Sequence, residues 1–270
     1  MSSLLSVEAV TKRFNAPPKW VRAGLSEATF GCREVSLTVQ SGEFVTIVGE
    51  SGAGKSTVCR VILGLEKPDS GRVLLSGIDL YHLGRRRLRD LRPLMQPVFQ
   101  DPLSSLNPLW TIGRSITHGL RVHGLGEWSG LVEAQEGLLR RVGLEPGLAR
   151  RYPHEISGGQ RQRVCIGRAI AILPKLIVAD EALSGLDVTT QARILRLLKD
   201  LQKETGMACL LVTHDLRTAR RVSDRVIVMY RGQVVEQGSS DLVFENPKHE
   251  YTQKLLRESL PVKYTGKDWS

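Results

Sequence analysis

An α/β fold, in which helices cover a largely parallel sheet, is predicted by three observations. A glycine-rich run, Gly49-Glu50-Ser51-Gly52-Ala53-Gly54-Lys55-Ser56-Thr57, lies between an apolar stretch, Phe44 to Val48, and a stretch from Val58 to Leu63 that can continue as a helix. Two more short apolar runs, Leu176 to Ala179 and Cys209 to Val212, end in polar residues. Buried parallel strands read this way when they deliver side chains at their C-terminal edge, where α/β sheets bind ligands. Finally, strand-like and helix-like segments alternate over much of the chain, the pattern of βαβ units.

The elements follow in order. Leu5 to Val10 and Val35 to Val39 alternate apolar and polar residues with period two, so the N-terminal part is expected to be β-rich, with a Pro17-Pro18 loop from Asn15 to Thr29. Pro68-Asp69-Ser70-Gly71 and Ser76-Gly77 punctuate a short strand, Arg72 to Leu75. From Asp101 to Leu173 the pattern turns helical, with Ile112, Ile116 and Leu120 spaced for one face. Val188 to Glu204 places Ile194, Leu197, Leu198 and Leu201 on one side of a helix. Val226 to Tyr230, Arg231-Gly232 and Val234-Val235 extend the alternation, and Tyr251 to Glu258 reads as a short helix before fraying at Lys263 to Ser270.

The glycine-rich run is a phosphate cradle. Its glycines allow φ > 0 and let main-chain N–H groups converge on anionic oxygens, Lys55 has the reach for terminal phosphates, and the Ser56 hydroxyl suits Mg²⁺. Asp180 and Glu181 stand at the end of an apolar run, one placed to hold a magnesium shell and the next to take a proton from attacking water. His214 follows a third run and is expected as a sensor of the γ-phosphate. Ile156-Ser157-Gly158-Gly159-Gln160 reads as a capped helix start, a second anion site without its own strand or lysine. A complete cradle and a half-cradle on one chain suggest two chains facing each other.

Carrying these motifs, the chain resembles the nucleotide-binding subunit of an ABC transporter over nearly its whole length. The residues that carry the likeness are Gly49 to Thr57, Gln100 in Val98-Phe99-Gln100-Asp101-Pro102, Ile156 to Gln160, Asp180-Glu181, Ser184-Gly185-Leu186-Asp187 and His214. Ser105-Leu106-Asn107-Pro108 and the tail Phe244-Glu245-Asn246-Pro247-Lys248-His249-Glu250-Tyr251-Thr252 are similar to the peptide and nickel importers within that family. The resemblance implies a P-loop NTPase fold with an N-terminal antiparallel β region and an inserted helical subdomain at about 101–173. It also implies an ATPase domain over 1–245 and an importer-type tail over 246–270. ATP and Mg²⁺ are the implied cofactors, the metal meeting Ser56, Gln100 and Asp180. Glu181 and His214 would be catalytic. Ser157, Gly158, Gly159 and Gln160 would face the nucleotide of the opposing subunit, with Ser184 and Asp187 in the loop at the dimer seam. The family places an aromatic ring against adenine near Phe14, with Trp20 and Phe30 as rivals. Ile156 stands where the family usually has Leu, Ala182-Leu183 where it has Pro-Thr, and Gly185 where it has Ala.

The implied function is an ATPase that energises import of nickel or metal chelates, or of di- or oligopeptides. A repair or chromosome ATPase and a translation-associated module are the alternatives. The expected partners are a second ATPase subunit, different from this one or identical to it, two permeases and, indirectly, a solute-binding protein. The formal net charge of +10 raises nucleic acid, with Arg85-Arg86-Arg87-Leu88-Arg89-Asp90-Leu91-Arg92 as its sharpest cluster. Leucines at helical spacing favour a solvated helix face instead, so no nucleic-acid partner is expected. Only about fifty-five residues separate Gln100 from Ile156, without sustained heptads for long coiled-coil arms. Cys32, Cys59, Cys165 and Cys209 are scattered and read as small buried residues, so neither zinc nor an iron-sulfur cluster is expected. No run approaches the roughly 18 apolar residues that span a bilayer, and Met1-Ser2-Ser3-Leu4 lacks a secretory pattern, so the chain is expected to stay in the cytoplasm, where the resemblance implies a peripheral place at the inner face of the membrane.

Overall fold

A computed structural model describes residues 3–14, 29–125 and 131–259. Trp20, the Pro17-Pro18 loop and the Lys263 to Ser270 end lie outside the described residues. The chain divides into two units, Met1–His82 with Leu211–Ser270, and Leu83–Leu210. The division falls inside one strand, Ala208–Thr213.

The first unit holds an antiparallel sheet of β1 (Leu5–Phe14), β2 (Thr29–Val39), β4 (Ser70–Leu75) and β5 (Ile78–Asp79), in the order β2-β1-β4-β5. Its period-two pattern first slips at Ala9. Ala9 adopts φ 47, the register shifts between Val7 and Val10, and Val10 rather than Ala9 turns inward. The extra residue is held by the Ser36 hydroxyl, which accepts the Ala9 N–H at 2.9 Å.

The same unit contains β3 (Phe44–Val48), whose five residues are all buried, paired in parallel with β9 (Arg225–Tyr230). β10 (Gln233–Ser239) returns antiparallel to β9 through Arg231-Gly232, with φ of 47 and 83, a two-residue hairpin turn rather than another parallel crossover. α1 (Lys55–Ile62), α9 (Leu216–Val222), α10 (Ser240–Glu245) and α11 (Glu250–Ser259) complete it. The expected tail helix is thus present. It packs Tyr251, Leu255 and Leu256 into a core with Val48, Val226, Val228, Leu216 and Phe244.

The second unit carries β6 (Met95–Val98) in parallel with β7 (Leu176–Asp180), in the register Val98↔Ala179. Its helices are α2 (Arg85–Leu91), α3 (Pro102–Ser105), α4 (Ile112–Ile116), α5 (His118–Val122), α6 (Leu131–Arg141), α7 (Gly158–Ile170) and α8 (Val188–Thr205). Between 102 and 170 every described element is helical. α7 is the hub and touches α3, α4, α5, α6 and β6. A Cβ on Gly167 would stand 2.5 Å from Ile116 Cδ1, so glycine allows the close approach of α7 to α4.

Three local expectations shift. The 112/116/120 face is broken at Thr117, and Leu120 is only half-buried. In α8 the inward residues are Ile194, Leu195, Leu198, Leu201 and Gln202, with Leu197 half-buried, because the buried stripe follows 3.6 residues per turn. α7 stops at Ile170, and Leu173 turns the chain at φ 52 ahead of Pro174. The basic helix α2 has Arg86, Arg87 and Arg89 exposed with Leu88 and Leu91 half-buried, the solvated face expected of it. All four cysteines are buried and unpaired by disulfide, as small apolar residues would be.

Candidate functional site

The phosphate loop is built where fully buried β3 meets α1. Gly49 has φ 153, and a Cβ there would lie 2.3 Å from the Met229 carbonyl oxygen. Gly54 has φ 94, and its missing Cβ would lie 2.1 Å from the Gly31 carbonyl oxygen. Both positions therefore need glycine twice over, for conformation and for space. Gly52, at φ 81, faces open space, so its glycine answers to conformation alone. Lys55, first residue of α1, is only 3% exposed, and its ammonium donates to the Gly49 and Glu50 carbonyls at 2.8 Å each. Ser56 and Thr57 follow in the first turn of the helix. Glu50 and Ser51 are exposed, and Ala53 is buried with its carbonyl accepting the Gly232 N–H at 3.1 Å.

Phe14 ends β1 with its ring closing over Gly31. A Cβ on Gly31 would meet Phe14 Cε2 at 2.5 Å and Thr57 Cγ2 at 2.8 Å, so the ring edge sits beside the phosphate-loop helix. Its rival Phe30 has the Arg13 guanidinium over its ring at 5.0 Å and that of Arg33 at 5.8 Å. His214, exposed, follows the strand β8 (Ala208–Thr213) directly, and the next residue, Asp215, caps α9 by accepting the Arg217 N–H at 3.0 Å.

In the second unit the β6–β7 register brings the residues after Val98 and Ala179 to one sheet edge. Gln100 is exposed there, one residue before Asp101 caps α3 through the Leu103 N–H at 2.9 Å. Asp180 ends β7 half-buried after four fully buried residues. Glu181 adopts φ 46, a left-handed backbone uncommon for a non-glycine residue. Its carbonyl accepts both the N–H and the hydroxyl of Ser184, at 3.0 and 2.8 Å. Gln100 and Asp180 carry oxygen donors of the hard kind that Mg²⁺ takes, as does Ser56 in the first unit.

Ser157 caps α7. Its hydroxyl accepts the Gln160 N–H at 3.2 Å, and the Gln160 side chain accepts the Ser157 N–H at 2.9 Å, a reciprocal capping box. Gly158 is roomy, whereas a Cβ on Gly159 would stand 2.6 Å from Thr190 Cγ2. Asp187 caps α8 through the Thr190 N–H at 2.9 Å. Hydrogen bonds from the Thr190 side chain and backbone hold the Asp187 carboxyl below its ordinary range. The starts of α7 and α8 therefore meet at Gly159 and Thr190. The departures from the family pattern have local reasons: Ala182 and Leu183 are buried packing residues, Ile156 is buried, and Gly185 sits at φ 77, where glycine is easier than alanine.

Sequence reasoning missed Gly31, Gly232, Thr190 and Tyr251 as supports of these motifs. Arg231-Gly232 was visible as punctuation, but its contact with the phosphate loop joins segments far apart in the chain.

A family profile described as ABC transporter matches residues 32–184. The chain belongs to the ABC transporter family. ATP and Mg²⁺ are the nucleotide and metal of that family. The probable peptide ABC transporter ATP-binding protein y4tS of Sinorhizobium fredii is 46% identical over 254 residues, 94% of this chain and 72% of that protein. The glutathione import ATP-binding protein GsiA of Salmonella paratyphi A is 45% identical over 263 residues, 96% of this chain and 41% of that protein. The chain thus spans about two fifths of the length of the glutathione-import relatives it matches. CbiO1 from Clostridium perfringens, part of the ABC transporter complex CbiONQ, superimposes with a TM-score of 0.77 at 29% identity, covering 91% of this chain and 92% of that one. The dimeric ABC transporter cassette MJ0796 gives 0.76 at 31% identity, over 87% of this chain and 98% of that one. The expected fold, a P-loop NTPase of the ABC type, and the resemblance to the peptide and nickel importer branch are borne out. No helix among the described residues is long and apolar enough to cross a membrane.

Proposed function

We propose that this chain is the ATP-hydrolysing subunit of an importer for small peptides or peptide-like thiols, acting as a peripheral subunit at the cytoplasmic face of the membrane. The observation that carries this reading is the buried Lys55 held by two loop carbonyls beneath glycines that only glycine can occupy. The relatives named for peptide and glutathione import favour peptides over nickel as cargo. The longest described helix, α8, has 18 residues, so nothing favours the long-armed chromosome or repair type.

In the proposed reaction, Lys55 swings from its carbonyls to the terminal phosphates, and the loop amides that follow Glu50 receive their oxygens. Mg²⁺, when bound, offsets charge on the β- and γ-phosphates. Ser56, Gln100 and Asp180 would hold that metal. Glu181 orients water and takes its proton, and His214 donates a hydrogen bond to the departing phosphate. Phe14 offers its ring to the base. Ser157, Gly158, Gly159 and Gln160 serve the nucleotide of a partner cassette, with Ser184 and Asp187 at the seam. A second, different ATPase subunit and two permeases are the proposed partners, a solute-binding protein delivering the cargo to them.

The test is Glu181→Gln in the complex with its permeases. Steady-state hydrolysis should fall at least about 100-fold while MgATP binding persists, since general-base catalysis is worth that much. Undiminished turnover would remove Glu181 from the role and undermine the reading.

A further inference from the structure

The tail motif Phe244 to Thr252 is folded tightly onto the first unit. The Glu236 carboxylate accepts the Lys248 N–H at 2.8 Å and the His249 N–H at 3.1 Å. His249 Nδ1 in turn accepts the Tyr251 N–H at 3.1 Å, and Gln253 Nε2 donates to the Pro247 carbonyl at 3.0 Å. These bonds fix the start of α11 and aim Tyr251 inward, where it is 8% exposed. Its ring stacks on Tyr230 with centroids 4.0 Å apart and planes at 26°. Tyr230 follows Met229, whose carbonyl oxygen backs Gly49.

From that position the Tyr251 hydroxyl accepts the Glu50 N–H at 3.2 Å. The Glu50 N–H and the Gly49 carbonyl belong to one peptide plane, and that carbonyl accepts the Lys55 ammonium at 2.8 Å. One rigid plane is therefore held at both ends, by the tail's phenol on one side and by the loop lysine on the other. Gly49 has no side chain to resist rotation of this plane. If the plane turned over, its carbonyl would leave Lys55 and its N–H would leave Tyr251.

We infer that Tyr251 is a positioning residue for nucleotide binding: its hydroxyl pins the Gly49–Glu50 peptide plane and so keeps the phosphate loop and Lys55 set for a triphosphate. The importer-type tail is then a brace for the loop. This rests on the reading of the loop as a triphosphate site, and the experiment separates the two.

MgATP affinity is measured by calorimetry on the wild-type chain, Tyr251→Phe and Tyr230→Phe, with melting temperature alongside. Tyr251→Phe keeps the ring stack and removes only the hydroxyl, so affinity should fall about 5-fold, the worth of one net hydrogen bond, with melting lowered by no more than about 4 °C. Tyr230→Phe should bind as wild type. Equal affinity in Tyr251→Phe and wild type overturns the inference and leaves the ATPase reading standing. An equal loss in both variants overturns it too, because the effect would then lie in the ring packing. A wild-type chain that binds no MgATP overturns both readings. Hydrogen exchange on the nucleotide-free wild type gives a check without any variant. The Glu50 amide should be protected, and free exchange there refutes the pin.

Discussion

The Cβ that Gly159 lacks would stand 2.6 Å from the methyl of Thr190, so the start of α7 and the start of α8 touch at a point with no room for a side chain. Thr190 cannot simply turn aside, because its hydroxyl and amide both serve Asp187. Gly159→Ala should therefore destabilise the fold by about 1 kcal/mol or more, the usual cost of overpacking. Thr190→Ala in the same chain should recover most of that loss. A double-mutant cycle by denaturant unfolding measures the coupling, and additive effects would show that the two starts do not press on each other.

Gly54→Ala should be more severe. The new methyl would meet the Gly31 carbonyl at 2.1 Å in a backbone already at φ 94. The loop must shift, so MgATP binding should be lost beyond calorimetric detection. Gly52→Ala, with the space open, should suffer only the conformational cost of about 1 kcal/mol. Calorimetry on the two variants side by side checks the ranking.

For the base, Phe14→Ala should weaken MgATP about 10-fold, within the range of one stacked ring, and Phe14→Trp should restore it. Phe30→Ala should change affinity little, since the Arg13 and Arg33 guanidinium groups already lie over that ring. Fluorescent ATP-analogue titration distinguishes the two aromatics.

Acid should loosen the tail through Glu236. Burial works against the charged form, but the hydrogen bonds from the Lys248 and His249 amides hold the carboxyl below its ordinary value. A depressed carboxyl stabilises the fold fully above its unfolded pKa of about 4.3 and loses that contribution as pH falls through the folded value. The melting temperature of the wild type should therefore drop faster below about pH 4 than that of Glu236→Gln, which has no carboxylate to protonate.

The thiols should stay silent. Burial pushes Cys32 and Cys165 up to about 11 and Cys209 up to about 12, and Cys59 is buried as well. A thiol reagent at mildly alkaline pH should label none of them until the chain is unfolded, when all four should react.

What was legible in the sequence was what is local. Gly49, Gly52 and Gly54 announce left-handed or crowded backbone by residue type, Ser157 and Gln160 announce a capping box by spacing, and β3 and β7 announce burial by unbroken apolar runs. The Ala9 bulge was hidden because alternation continues through it in residue type while the backbone slips by one. The break at Thr117 was hidden because the apolar spacing survives it. The supports of the site were hidden for another reason: Gly31 under Gly54 and Tyr251 on Glu50 are meetings of distant segments, and neither residue type declares its partner.

The left-handed turn at Glu181 leaves a mark on what the protein could become. A glutamate there costs roughly 1 kcal/mol in backbone strain that a glycine would relieve. Glu181→Gly should accordingly melt higher than the parent while turning over nothing. Lineages that no longer needed an engine would be expected to slide toward such a substitution, trading the motor for a sturdier scaffold.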